Sequence, residues 1–227
     1  MPCGLCGDII PTVSVRCPAC GAWSHRRDFR ALATGLFVLL GFNAFLALGS
    51  AVSMMRLLAG LEQENPFSYD ASFTLPVLRA YEDVFLISGV LAVVTGVLFV
   101  AWLWQAHRQA PGPMRYRRGW TVGAWFLPVA NLWMPPRIVH DVWVSSGRYR
   151  MAGRHGVLLV VTAWWASLLG GTALARAFPG MGAGSLADAR FAMETGIAAA
   201  GCLALAATLC MAFVFQVTRL QLSPALT

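Results

Sequence analysis

The chain has 227 residues, 58% of them apolar and only 12% charged, with 17 basic residues against 10 acidic ones for a net charge of +7. A soluble domain carries about 25% charged residues. Here the apolar residues come in long uninterrupted runs, which excludes an ordinary soluble globule and predicts transmembrane helices. Every basic residue is arginine, and in a membrane chain that excess reads as anchoring at an anionic leaflet rather than as nucleic-acid contact.

The N-terminus carries Cys3, Cys6, Cys17 and Cys20 in the spacing C-x2-C-x10-C-x2-C. Two CxxC knuckles this close read as one tetrahedral thiolate site, predicting a small zinc ribbon over residues 1–25. Each knuckle ends in glycine, at Gly7 and Gly21. Glycine tolerates the positive φ that turns backbone N–H groups toward thiolates. Structural zinc is the expected metal, with rubredoxin-like iron or a redox disulfide pair as alternatives. Four cysteine ligands close the site, so the expected role is organising a surface rather than catalysis. A loaded thiolate site suits a reducing compartment, which places the N-terminus in the cytosol. The tether from Gly21 to Arg30 reaches at most about 34 Å, so the ribbon stays near the membrane face.

The apolar runs predict four spans, at about 31–55, 84–106, 156–175 and 192–217, within a transmembrane domain over 31–217. The fold class is therefore an all-α integral membrane protein preceded by a small four-cysteine zinc ribbon. With the N-terminus inside, thirteen of the arginines fall on inner segments, opposed there by Asp8, Asp28 and Asp141 alone, for +10 inside against −3 outside. Basic residues concentrate on the cytoplasmic side, so both termini are expected in the cytoplasm and the protein in the cell's inner membrane.

Between the second and third spans, Trp120–Met134 is apolar but short and broken by Pro128. A crossing there would put Arg148, Arg150 and Arg154 outside. The expectation is an interfacial or re-entrant segment over 120–146 rather than a fifth span. Pro136 suits the first turn of a following helix. There Ile138, Val139, Val142 and Trp143 form one apolar stripe, while Arg137 and Asp141 are spaced as i,i+4 partners. The tryptophans at 102, 104, 120, 125, 133 and 143 are expected at the inner interface, where indole rings favour the headgroup level. Arg115, Arg117, Arg118, Trp120, Trp125, Pro128, Asn131, Trp133, Pro135, Arg137 and Trp143 make up a candidate platform for a cytosolic protein partner or anionic lipid.

The stretch Gly119, Trp120, Gly123, Trp125, Phe126, Pro128, Asn131, Leu132, Trp133 and Pro135, followed by Trp143 and Ser146, resembles a bacterial membrane family classed as domain of unknown function 4328. That family's signature is G-W-x-x-G-x-W-F-x-P-x-x-N-L-W-x-P followed by W-x-x-S. Ala163-Trp164-Trp165 resembles its A-W-W element. The resemblance extends over about 31–217 and implies a four-helix membrane protein with an arginine-rich loop; some relatives carry a zinc-ribbon leader. It implies no activity, substrate or catalytic residue.

Other candidates are sparser. Asn43, deep in the first span, is expected to bond across helices. Ala192, Gly196, Ala200, Ala204 and Thr208 form a small-residue row in the fourth span, suited to packing within the chain or to a homo-oligomer. Cys202 and Cys210 read as small apolar residues. His107, His140 and His155, with Asp141, fall on inner segments. As neighbours, His140 and Asp141 are expected to point apart. No G-x-S-x-G, H-E-x-x-H or phosphate-cradling loop is present. The leading reading is a non-enzymatic scaffold or regulator. The alternatives are a small transporter or channel component, with a polar cavity at Asn43 beneath Pro128 and Asn131, and a membrane enzyme using the inner histidines.

Overall fold

The computed structural model describes residues 8, 9, 17, 19, 26–61, 71–110, 113–147, 151–177 and 185–222. Every regular element among them is helical. The order is α1 (Arg26–Leu61), α2 (Ala71–Gln109), α3 (Trp120–Gly123), α4 (Pro128–Asn131), α5 (Met134–Ser146), α6 (Met151–Ala177) and α7 (Leu186–Leu222). Four helices are long and apolar enough to cross a membrane, at Phe29–Gly60, Leu86–Gln109, His155–Ala177 and Leu186–Leu222. The shortest has 23 residues, about 35 Å of helix against a hydrocarbon core of about 30 Å. The chain is a helical membrane protein.

The helices outrun their apolar stretches where side chains satisfy the extra turns. α7 begins at Leu186, ahead of the apolar run that opens at Ala192, because Ser185 caps it. Ser185 Oγ accepts from the Asp188 backbone N–H (3.1 Å), the side-chain cap of a helix N-terminus, and donates to the Asp188 carboxylate (2.7 Å). Beyond Val217, Thr218 accepts a hydrogen bond from Trp102 and Gln221 donates to Ala106 and Ser146, so polar residues carry the helix on to Leu222.

The chain divides into two compact units. One comprises Met1–Phe37, Leu98–Arg154 and Phe213–Thr227; the other comprises Val38–Val97 and His155–Ala212.

In the second unit, two exposed apolar stripes run along helices at three- and four-residue spacing. On α1 they are Val38, Phe42, Phe45, Leu48 and Val52; on α2 they are Leu86, Ile87, Val90, Val93, Val94 and Val97. In water such surfaces would aggregate; in a bilayer they face lipid, since a helix satisfies its own backbone. Inside the unit, packing relies on small residues. Ala192, Gly196, Ala200 and Ala204 are buried and only Thr208 of the row is exposed. That face packs within the chain, the first of the two roles its spacing suits. The backbone at Gly171 approaches α7 so closely that a Cβ there would lie 2.9 Å from Leu203 Cγ and 3.1 Å from Cys202 Cβ. Leu186, Ala189 and Met193 pack with Leu57 and Leu58. Asn43 does bond across helices: its Nδ2 donates to Thr95 Oγ1 (2.9 Å) and to Leu39 O (2.7 Å). Both amide hydrogens are thereby used.

In the first unit, the segment after α2 forms no continuous helix. α3 and α4 have four residues each and α5 has thirteen, and even α5 covers only about 20 Å. No helix in this stretch is long enough to cross a membrane. The break has a local cause. Leu127 precedes Pro128 and sits at φ −94°, ψ 111°, because the proline ring excludes the helical region for the residue before it. Pro135 and Pro136 then fall in the first turn of α5, where a missing N–H costs nothing.

Candidate functional site

The 120–146 segment is fastened from beneath by aromatic rings. Trp102 is fully buried. Its ring stacks on Phe29 with centroids 6.3 Å apart and contacts Phe99 at 5.8 Å and Phe213 at 6.3 Å. Its indole N–H donates to Thr218 Oγ1 at 3.1 Å, satisfying the one polar atom of a buried tryptophan. Trp125 meets Phe99 edge-on at 5.8 Å and donates to Thr121 O at 3.0 Å. Trp143 packs on Phe213 at 6.2 Å. On α5, Ile138, Val139, Val142 and Trp143 are all buried, so the stripe read from their spacing is the face that docks.

A polar tie runs beside these rings. Gln221 Nε2 donates to Ala106 O (2.9 Å) and to Ser146 Oγ (2.7 Å), and Ser146 Oγ donates to Val142 O (2.6 Å). It joins α2, α5 and α7. Ser146 is the serine of the W-x-x-S element, whereas nothing in the sequence marks Gln221 or Thr218 beyond their position at the end of an apolar run.

The charged residues pair differently from their spacing. Asp141 lies 3.9 Å from Arg115 Nε and 3.5 Å from His140 Nδ1, and Arg137 is exposed. Arg115 therefore replaces Arg137 as the partner. The Asp141 side chain is 15% exposed, and a shielded carboxylate needs a nearby cation. His140 and Asp141 also fail to point apart, since their side chains bend together across neighbouring positions. His107 is buried, with Nε2 donating to Tyr116 O at 3.2 Å, and His155 is exposed. Among the described residues no group of three His, Cys, Asp or Glu side chains could hold a metal, so the inner histidines do not assemble such a site there.

The platform residues thus separate into two sets. Pro135 and Trp143 are buried, and Trp125 and Asn131 are half-buried; all four belong to the fastening side. Arg115, Arg117, Arg118, Trp120, Pro128, Trp133 and Arg137 are exposed. Trp102 and Trp143 are buried within the protein, covered by Phe29 and Phe213 respectively. The outward set carries apolar neighbours that spacing did not single out: Phe126 is 80% exposed and Val129 65%, with Val122, Leu127 and Leu132 also exposed. Arginines and apolar side chains therefore share one short, broken stretch of backbone.

Of the four N-terminal cysteines, Cys17 is among the described residues and is buried. Cys3, Cys6 and Cys20 lie outside the described residues, as do Arg148 and Arg150.

Comparison with curated proteins and with solved structures finds no match. A family model described as Domain of unknown function (DUF4328) matches residues 81–219. The match takes in the second and third candidate spans, the fourth as far as Arg219, and the whole platform, but not α1. Since it covers more than half of the chain, the protein belongs to that family, Domain of unknown function (DUF4328).

Proposed function

We propose that the protein is a non-enzymatic scaffold or regulator of the bacterial inner membrane, with both termini in the cytoplasm. It presents two docking surfaces on that side: the outward set of the Trp120–Trp143 platform, and a ribbon in which Cys3, Cys6, Cys17 and Cys20 hold structural zinc. The observation that carries this reading is the combination of exposed Arg117 and Arg118, just ahead of α3, with exposed apolar side chains along the α3–α4 segment, held by a buried aromatic base. A rigid base beneath a charged, apolar outer face favours adhesion. The orientation rests on the thirteen inner arginines.

Chemical crosslinking of the chain at native expression level, followed by purification, tests the reading. Recovery of a reproducible cytosolic partner or a defined lipid preference is expected; the absence of both would overturn it. Alanine at His107, His140 and His155 should leave a deletion phenotype rescued, because the proposed role uses no histidine chemistry. For the ribbon, metal analysis should find one zinc ion per chain, lost in Cys17→Ser while the membrane domain stays folded. Iron in its place would replace zinc in the assignment.

A further inference from the structure

We infer that the segment from Arg115 through α4 forms a binding site for the phosphate-bearing headgroup of an anionic glycerophospholipid, with Arg117 and Arg118 as the phosphate contacts and Arg115 withdrawn from that role by Asp141. This rests on the platform reading and gives its occupant.

Depth comes first. α3 and α4 are single turns separated by an extended Leu127. Backbone groups at such a break need water or protein partners, so the segment cannot face the hydrocarbon core and belongs at headgroup level. From there, exposed Val122, Phe126 and Val129 reach the acyl boundary, as the apolar face of an interfacial helix does.

The charges follow. Arg115, Arg117 and Arg118 fall within four residues, and no acidic residue occurs from Pro113 to His140. The backbone of Arg117 and Arg118 is pinned at the start of α3. Arg117 O accepts from Trp120 N (2.9 Å), and Arg118 O accepts from Thr121 N (3.0 Å) and Thr121 Oγ1 (2.6 Å). Thr121 is itself buried. Both arginine side chains are exposed and make no ion pair or hydrogen bond among the described residues, whereas Arg115 lies 3.9 Å from Asp141. A guanidinium fork matches phosphate oxygens bidentately. Lipid is favoured over an acidic protein because arginines and apolar anchors share one segment at the depth where phosphates meet acyl chains, and four spans hold it there permanently.

The test uses the whole chain in neutral detergent with a mixture of phosphatidylglycerol and phosphatidylcholine, with retained lipid counted by native mass spectrometry. The wild type should prefer phosphatidylglycerol. Arg117→Gln with Arg118→Gln should lose the preference by roughly fivefold per arginine, Arg115→Gln should keep it within about twofold, judged against that per-arginine loss, and soluble glycerol phosphate should not displace the lipid. No preference in the wild type, an unchanged preference in the double variant, or displacement by glycerol phosphate would overturn the inference. A photoreactive p-benzoylphenylalanine at position 126 separates this from the parent reading. Adducts to phospholipid without headgroup preference would sink the phosphate site and leave the platform. Adducts only to another protein would replace lipid with a protein partner. Neither adduct nor preference would end both.

Discussion

The unit containing Trp102, Trp143 and Phe213 is joined by large rings and long polar side chains, while the unit containing Asn43, Gly171 and Met193 is joined by close backbone approach and an interhelical hydrogen bond from Asn43 to Thr95. The difference follows from what each has to hold. Regular helices in lipid gain nothing from hydrophobic exclusion against one another, so they associate through small residues that let backbones meet. A broken segment such as 120–133 presents an irregular underside, which small residues cannot fill. Rings and extended amides reach across the uneven gaps, and in doing so leave the segment's upper face free for another role.

Four substitutions test that contrast, all read as equilibrium unfolding in mixed micelles with hydrogen exchange to locate the loss. Trp102→Ala removes a fully buried ring with three aromatic neighbours and should cost about 3–5 kcal/mol. The exchange should localise to α5 and the end of α7. A loss spread evenly through Val38–Val97 would break the division. Gly171→Ala forces a methyl against Leu203 and Cys202 and should cost about 1–3 kcal/mol, with α6 and α7 of the small-residue unit loosened. If it costs as much as Trp102→Ala, the two units are not held by forces of different size. Gln221→Leu keeps the volume and deletes two donated bonds. Ala106 O retains the Ala110 N–H and Ser146 retains Val142, so the cost should be about 1–2 kcal/mol, with the platform exchanging faster. Asn43→Ala is the mildest, at about 0.6–1.7 kcal/mol. Combined with Thr95→Val it should add little, because the two residues share the lost bond.

Much of this was legible in the chain. The four apolar runs mark their helices because a span needs length and apolarity, both local properties. The α5 stripe was readable because its partners repeat at helical spacing. Asn43 stood out because an amide deep in an apolar run must find a partner. The platform's division was not readable: Trp125 and Trp133 look alike in sequence, and only packing against Phe99 turns one inward. Nor was the pairing of Asp141, for which Arg137 is the neighbour in sequence and Arg115 the neighbour in space.

The sequence by itself determined that this is an arginine-rich, helical membrane protein, the position of its spans and the place where Pro128 breaks the chain, since these depend on composition and on backbone sterics within a few residues. Tertiary structure alone decided which tryptophans serve as core, that Gln221 ties α2, α5 and α7 together from a distant part of the chain, and that Arg115 is the arginine beside Asp141. Those outcomes depend on which side chains meet after the helices pack, and no local pattern records that.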